Sequence, residues 1–311
     1  MMIISTLVAL WTEILTPLGI AIGVKVSPSR ADALVLTECA SFATYSLIMS
    51  WMYNSYSFVD QLWSLTPIAY VVTWLAHDRS NVRLRVMCGM TLIWGVRLTY
   101  NFARKGGYSG EEDYRWAVLR ENKILKNPMV WQLFNVSFIS FYQHALLMLI
   151  ALPAGAAARS KEAFDLRGVD GAAVALWTIA FVIEVVADEQ QWRFQRSKRG
   201  KARKVKRWRD DYKRGFLTHG LFSLSRHPNF WAEQTLWVAF SWFAAASSKT
   251  KELFTPWITG AVLLILLFQG STAFTESITA KKYPEYAAYQ QCTSRLMPFP
   301  RRRSLPPPKD Q

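Results

Sequence analysis

The run Leu221–Trp237, LFSLSRHPNFWAEQTLW, places a short polar cluster immediately before an apolar stretch of helical length. Pro228 favours the first turn of a helix, because its missing N–H would have no intrahelical partner there and its φ is already close to helical. From that start Asn229 and Glu233 fall four residues apart and therefore on one face. The sequence predicts a helix that begins at Pro228 and carries an amide and a carboxylate on the same side.

Two residues that can carry positive charge, Arg226 and His227, come just before this helix. They lie beside the positive end of the helix dipole and its unpaired N–H groups, a place suited to an anion. The helix entrance thus offers cations, an amide and a carboxylate to a single ligand. A structural interpretation is the alternative: a basic residue anchors a membrane helix at the lipid headgroups, and the amide and carboxylate are merely solvated.

The composition is typical of a polytopic membrane protein. Of 311 residues 51% are hydrophobic and 14 are Trp, yet the net charge is +15 and the mean hydropathy is +0.07. Apolar segments joined by basic loops explain this combination. The cysteine spacing matches no metal or disulfide pattern, and no His-rich metal motif, GxGxxG run or P-loop is present. We expect an all-α polytopic transmembrane helical bundle that holds no metal and binds any nucleotide without a Rossmann domain.

Eight apolar segments come near the length of about 20 residues that crosses a bilayer. Three of them are weak, because Pro67, Arg97 and Glu233 interrupt the third, fourth and seventh. We therefore expect about seven or eight spans. The segments are Ile3–Val24, Ala33–Tyr53, Asp60–Ala76, Leu84–Phe102, Trp131–Leu152, Gly171–Asp188, Phe230–Ala246 and Thr255–Phe274.

The distribution of Lys and Arg predicts the orientation. With both termini on one side, the loops of that side hold 26 basic residues and the other side holds 10. The positive-inside rule makes the first side cytoplasmic. Four polar clusters then fall on or near the cytoplasmic face, where they can line one site. They are Val59–Trp63 (VDQLW), Glu111–Trp116 (EEDYRW), Ser225–Asn229 (SRHPN) and Glu276–Tyr289 (ESITAKKYPEYAAY).

Ionisable side chains inside apolar segments indicate a specific role, since a charge at the centre of a membrane helix costs about 2.5 to 3.5 kcal/mol of insertion free energy. Glu184 and Asp188 share one face of the sixth segment, and Gln269 and Glu276 share one face of the eighth. Together with the Asn–Glu face of the seventh segment they make three helices with polar stripes. We expect these stripes to face a common cavity. For Asp188 and Glu276 a position at the headgroup level is the alternative.

The run Trp192–Arg214 holds twelve Lys and Arg against Asp210 and Asp211. One interpretation is a loop next to the membrane that fixes topology and lies on anionic lipid. The other is that Arg193 and Arg196, next to the helix end, face the phosphates of a nucleotide cofactor. A role in nucleic-acid binding is disfavoured, because the run adjoins membrane spans and no nucleic-acid-binding motif accompanies it.

Four motifs follow one another along the chain: VDQLWS (Val59–Ser64), ADEQQWRFQR (Ala187–Arg196), SRHPNFWAE (Ser225–Glu233) and ESITAKKYPEYAAYQQCTSRLMPFP (Glu276–Pro300). Taken together they resemble the DUF1295 family of membrane proteins, which belongs with the C-terminal domains of steroid 5-alpha-reductase (3-oxo-5-alpha-steroid 4-dehydrogenase). The similarity runs from about Ser57 to Arg303. We therefore expect N-terminal membrane spans over residues 1–56, a reductase-like membrane domain over 57–303 and a disordered tail over 304–311.

The resemblance implies an integral membrane reductase that uses NADPH to saturate a C=C bond conjugated to a carbonyl in a lipid or steroid-like substrate. Asn229 and Glu233 match the family's Asn and Glu after the HP pair and would contact the cofactor. The family commonly has glycine at the position of Ala232, and the extra methyl group of alanine would tighten the packing there. The cofactor-binding residues that we expect are Asp188, Arg193 or Arg196 as phosphate partner, Arg226, His227, Asn229, Glu233, Glu276, Tyr283 and Tyr286.

Catalysis would need a hydrogen-bond donor as well. Hydride transfer to the β-carbon of an enone builds negative charge on the carbonyl oxygen, so a donor must wait there in a dry pocket. A tyrosine hydroxyl or a carboxylic acid kept protonated by burial can serve. By the resemblance, Asp60 and Gln61 are candidates for the family's Gln–Glu position, and Tyr100 for the phenol donor.

Two other classes of protein stay open. Membrane methyltransferases of the isoprenylcysteine carboxyl methyltransferase type share an RHP entrance before a helix and bind S-adenosylmethionine, whereas a non-catalytic lipid-binding protein would keep only the scaffold. Asn229 and the ADEQ and KKYPEYAAYQ blocks favour the reductase. The resemblance and the basic loops further imply a multi-pass protein of the endoplasmic reticulum, with both termini cytoplasmic.

Overall fold

The structure is a computed structural model that describes residues 30–110, 112–160, 166–247, 256–301 and 303–308. Within these ranges the regular structure is helical, and the β-structure amounts to an isolated parallel bridge between Ser225 and Ser294. The all-α prediction is thereby confirmed. The first predicted apolar segment, Ile3–Val24, lies outside the described residues.

The described chain contains α-helices of very different length, interrupted once by a π-helix at Asn135–Tyr142. Short 3₁₀ turns lie at Lys206–Trp208, Gly220–Ser223 and Pro256–Ile258. The α-helices are α1 Arg30–Tyr53, α2 Phe58–Leu62, α3 Thr66–His77, α4 Val82–Arg104, α5 Tyr114–Arg120, α6 Pro128–Phe134, α7 Gln143–Arg159, α8 Gly168–Lys198, α9 Arg209–Arg214, α10 Pro228–Ala246, α11 Thr259–Lys282 and α12 Tyr286–Cys292.

Four helical stretches of the described chain are long and apolar enough to cross a membrane. They are Arg30–Tyr53, Pro128–Arg159, Gly168–Lys198 and Pro256–Lys282. These four support the prediction of a protein with membrane-spanning helices, whereas the count of seven or eight spans stays a prediction.

The third predicted segment, Asp60–Ala76, is not one continuous helix. It is divided between α2, which has 5 residues, and α3, which has 12. Pro67 lies in the first turn of α3, where its missing N–H removes no helical hydrogen bond. Proline therefore marks the start of a helix here, in contrast to the predicted interruption within one segment.

The chain forms two compact units. The first comprises Met1–Ala173 and Phe240–Ala261, and the second comprises Val174–Ala239 and Val262–Gln311. We refer to them as unit 1 and unit 2.

In unit 1, α3 packs against α1, α4 and α7. Trp74 of α3 is buried and donates its indole N–H to Asp32 at 2.9 Å. The approach of α7 is close, since a Cβ on Gly155 would lie 2.8 Å from Cζ2 of Trp74. His144 lies fully buried with Nε2 2.8 Å from Oγ of Ser46, which agrees with the general pattern that polar side chains in such helices bond across the bundle.

In unit 2, two aromatic clusters hold the loops around the entrance of α10. Buried Trp208 and Phe194 pack together with their rings edge to face, at 6.2 Å between centroids. Phe216 packs against Tyr286 and Tyr289 at 5.1 and 5.6 Å. Because α12 supplies both tyrosines, the C-terminal part of the chain is fixed to the loop that leads into α10.

Candidate functional site

The polar clusters VDQLW and EEDYRW meet in unit 1. Oδ2 of Asp60 accepts a hydrogen bond from the indole N–H of Trp116 at 2.9 Å. The guanidinium of Arg115 lies 3.5 Å from the other oxygen of Asp60. Helix α2 is thereby tied to the start of α5. The first two of the four predicted clusters form one polar group.

Gln61 takes part in the same arrangement through the loop after α4. Its side chain lies 3.5 Å from the carbonyl of Gly107, and its own carbonyl accepts from the hydroxyl of Tyr108 at 3.1 Å. Tyr100 is different, because 63% of it is exposed and the guanidinium of Arg104 lies 5.3 Å from its ring centroid. Asp60 and Gln61 are thus engaged by neighbours, while Tyr100 lies on an exposed face of α4.

The clusters SRHPN and ESITAKKYPEYAAY meet in unit 2, around the carboxylate of Glu276. Arg226 binds it through two parallel contacts, Nε to Oε1 at 2.6 Å and Nη2 to Oε2 at 3.0 Å. Nε2 of His227 lies 3.0 Å from Oε1. Tyr286 and Gln290 donate to the two carboxylate oxygens at 3.1 and 3.0 Å. Four side chains therefore fix the carboxylate of Glu276, a buried residue that is 5% exposed.

The backbone of the C-terminal segment completes this group. The N–H groups of Arg226 and His227 donate to the carbonyls of Ser294 and Arg295 at 2.8 and 3.2 Å. The Arg226 guanidinium also donates to the carbonyl of Thr293. Both the main chain and the side chain at the helix entrance are held in place. The sequence pattern indicated the cations but not this use of carbonyl groups, which no side-chain motif encodes.

A second polar contact joins α8 and α10 within unit 2. Helix α10 begins at Pro228 as predicted. In its first turn Asn229 donates its amide N–H to Oδ1 of Asp188 at 3.2 Å. One turn further, Glu233 is buried and accepts from the indole N–H of Trp237 at 2.9 Å. The predicted polar faces of α8 and α10 are thus brought together at Asp188 and Asn229.

The two arginines at the end of α8 have different surroundings. Arg193 pairs with Glu189 at 2.6 Å, one turn earlier on an exposed face. Arg196 is exposed as well, and its guanidinium lies 3.3 Å from the carbonyl of Lys201. Both guanidinium groups remain accessible from the outside of unit 2.

Tyr283 and Tyr286 have contrasting electrostatics. Partial burial raises the pKa of Tyr283, but the hydrogen bond and the charge of Lys198, whose Nζ lies 2.6 Å from the hydroxyl, lower the pKa below its usual value overall. Burial raises the pKa of Tyr286, and the adjacent carboxylate of Glu276 raises it further. Tyr286 therefore stays protonated and donates, whereas Tyr283 lies beside a cation.

Sequence reasoning missed three participants of this region. Lys198 donates to Tyr283 and to the carbonyl of Gly215 at 2.7 Å, but the charge-rich run around it gave no reason to single it out. Gly215 has a φ of 87°, and a Cβ there would lie 2.4 Å from Cε1 of Tyr283. Gln290 lies within the motif Glu276–Pro300, and its position on α12, four residues after Tyr286, is the sequence signal that could have identified it.

Comparison with known proteins assigns the family. The model of a family described as "Protein of unknown function (DUF1295)" matches residues 46–293. The chain belongs to the DUF1295 family. An uncharacterized protein from Schizosaccharomyces pombe is 37% identical over 262 residues, which cover 80% of this chain and 74% of that protein. No solved structure matches the chain. The matched residues include the contacts of Asp188, Asn229 and Glu276 described above.

Proposed function

We propose that this DUF1295 protein is an integral membrane reductase that uses NADPH to saturate a C=C bond conjugated to a carbonyl group in a lipid or steroid-like substrate. The observation that carries the proposal is the hydrogen bond between Asn229 and Asp188 at the first turn of α10. By the resemblance of their motifs, both residues match an Asn and an Asp that contact the cofactor in steroid 5-alpha-reductase-like enzymes. The family match is compatible with that superfamily.

The residues of unit 2 fit such a cofactor chemically. An amide and carboxylates on otherwise apolar helices can bind the amide and hydroxyl groups of a dinucleotide, and Asp188 and Glu233 are both buried. Guanidinium groups match phosphate geometry, and Arg193 and Arg196 are exposed. When bound, NADPH would supply the hydride.

The chain's own residues would then have two tasks. The carboxylate of Glu276 holds the side chains of Arg226 and His227, so they would meet a ligand from a fixed position and lose no further conformational freedom on binding. A hydrogen-bond donor must stabilise the charge that develops on the substrate's carbonyl oxygen. Asp60, Gln61 and Tyr100 remain the candidates for that role.

Binding measurements on the detergent-purified protein test the proposal. NADPH and S-adenosylmethionine are titrated in parallel by calorimetry into the wild-type protein and into the variants Asn229→Ala and Asp188→Asn. Loss of one hydrogen bond to the cofactor lowers affinity about threefold to tenfold. The matched controls are Asn122→Ala and Asp210→Asn, both at exposed positions, and they should leave the affinity unchanged.

The outcomes separate the three classes of protein. Saturable NADPH binding that weakens in the two test variants supports the reductase, and turnover of enone lipids can then be screened. Binding of S-adenosylmethionine instead of NADPH would move the assignment to methyl transfer, and binding of neither would indicate a non-catalytic lipid-binding protein. The proposed location in the endoplasmic reticulum, with both termini cytoplasmic, is tested by the accessibility of terminal tags to protease in intact microsomes.

A further inference from the structure

The loop that follows α8 is anchored by hydrophobic packing in spite of its charge. Trp208 closes the loop and is only 3% exposed. It packs in a buried cluster with Phe194 of α8 and with Leu217 and Phe222 of the segment before α10. Residues 199–207 therefore form a connection between two points that are fixed in unit 2. We refer to these residues as the basic loop.

Hydrogen bonds hold the basic loop in one conformation. Oγ of Ser197 lies between the carbonyls of Arg193 and Arg203, at 2.8 and 3.1 Å, and its one hydrogen can bond to either of them. The N–H of Val205 donates to the hydroxyl of Tyr212 at 3.1 Å. The N–H of Lys201 donates to the carbonyl of Arg196 at 2.9 Å, which closes the end of α8. A ligand that binds here need not order the backbone first, and binding is correspondingly less costly.

The loop presents positive charge outward. Two carboxylates, exposed Asp210 and buried Asp211, follow its six exposed cations, and none of the six makes an ion pair within the part of the chain that the structure describes. Asp211, which comes shortly after, is fully buried and accepts from Thr218 at 2.6 Å and from His219 at 2.7 Å. It cannot neutralise the loop. The exposed cations are Arg199, Lys201, Arg203, Lys204, Lys206 and Arg207.

We propose that the basic loop is a docking surface for the headgroups of anionic phospholipids. Helix α8 is long and apolar enough to cross a membrane and ends at Lys198, so the loop leaves the helix where a bilayer surface would be. Near an anionic leaflet each Lys or Arg raises the affinity about fivefold. A row of exposed cations, two of which lie over aromatic rings and none of which has a carboxylate partner among the described residues, matches a surface of many anionic headgroups. A nucleotide, by contrast, carries a few phosphates that converging side chains would bind.

Spin-labelled lipids test this proposal on the full-length protein reconstituted in phosphatidylcholine. Electron paramagnetic resonance measures how strongly labelled phosphatidylserine associates with the protein relative to labelled phosphatidylcholine. The test variant is Lys204→Gln/Lys206→Gln/Arg207→Gln. The matched control, Lys105→Gln/Lys123→Gln/Lys126→Gln, removes three exposed lysines from unit 1.

We expect the wild-type protein to prefer phosphatidylserine about twofold or more, because a single charge contributes about fivefold in direct contact. The preference should fall towards one in the test variant and at about 0.5 M salt, where screening is strong, and it should persist in the control. An unchanged preference in the test variant would overturn the proposal. So would an equal loss in both variants, since the effect would then be one of net charge.

The affinity for NADPH distinguishes this inference from the proposed function. The test variant should bind NADPH with the same affinity as the wild-type protein, or fail to bind it if the wild-type protein also fails. A variant that lost NADPH affinity while keeping its lipid preference would show that the basic loop serves a nucleotide, and the lipid proposal would be wrong. Circular dichroism and the melting temperature confirm that both triple variants are folded.

Discussion

Replacement of Glu276 by alanine should destabilise unit 2 strongly. The carboxylate is buried and receives two contacts from Arg226 and one each from His227, Tyr286 and Gln290. Its removal would leave the Arg226 guanidinium, which is 9% exposed, without a counter-charge. Breaking a buried pair in this way costs about 3 to 5 kcal/mol. The loss of stability in Glu276→Gln should lie between zero and the loss in Glu276→Ala, because an amide keeps acceptor and donor atoms but cannot balance the charge of Arg226.

The matched control is Glu189→Ala, which breaks the ion pair between Glu189 and Arg193. The side chain of Glu189 is 39% exposed and that of Arg193 is 67% exposed. Such a pair contributes about 0 to 1 kcal/mol. Stability is measured in detergent as the midpoint of thermal unfolding, followed by circular dichroism. We expect Glu276→Ala to lower the midpoint by about 10 °C or more, and Glu189→Ala by no more than about 3 °C. Equal midpoints for the two variants would refute the argument that the Glu276 contacts hold the entrance of α10.

Three further substitutions probe other contacts. Gly215→Ala should lower the free energy of unfolding by about 1 to 3 kcal/mol, since φ is 87° and the new Cβ would meet the ring of Tyr283. Thermal unfolding measures this loss, and an unchanged midpoint would contradict the prediction. Lys198→Met removes the larger of the two lysine contributions that lower the pKa of Tyr283 and leaves that of Lys282. The phenol should therefore ionise at higher pH, as read from absorbance near 295 nm by difference from a Tyr283→Phe variant. An unmoved titration would contradict the assignment. Arg83→Met removes the guanidinium that lies 2.7 Å from the buried carboxylate of Asp170 and should cost about 3 to 5 kcal/mol. The double variant with Asp170→Leu should recover most of that loss. Failure to recover would point to packing as the cause.

Local chemistry made parts of the fold predictable. The start of α10 followed from the fixed φ and missing N–H of Pro228, properties of the residue itself. The same properties placed Pro67 in the first turn of α3, but the apolar residues on both sides suggested one longer segment. The π-helix at Asn135–Tyr142 had no signal in the sequence, because the apolar pattern around it is compatible with an ordinary α-helix.

The candidate site was predictable as a set of residue types and much less as a set of contacts. The positive-inside count placed four polar clusters on one side, and the structure brings them together in two pairs. Which cluster meets which depends on tertiary packing: Arg226 and Glu276 are 50 residues apart, and no spacing rule connects them. The carbonyls of Ser294 and Arg295 that hold the helix entrance carry no side-chain signature at all.

The contacts also bear on the choice between Arg193 and Arg196 as a phosphate partner in the proposed function. The charge of Arg193 is compensated by Glu189 at 2.6 Å, and a phosphate would have to compete with that carboxylate. The guanidinium of Arg196 has the backbone carbonyl of Lys201 as a hydrogen-bond partner and lies over the ring of Trp192 at 5.8 Å from its centroid, so no carboxylate in these contacts cancels its positive charge. A guanidinium held over an aromatic ring keeps its N–H edge for an anion. The electrostatics of α8 therefore favour Arg196 as the phosphate partner, a distinction that the spacing of the two arginines in the sequence does not contain.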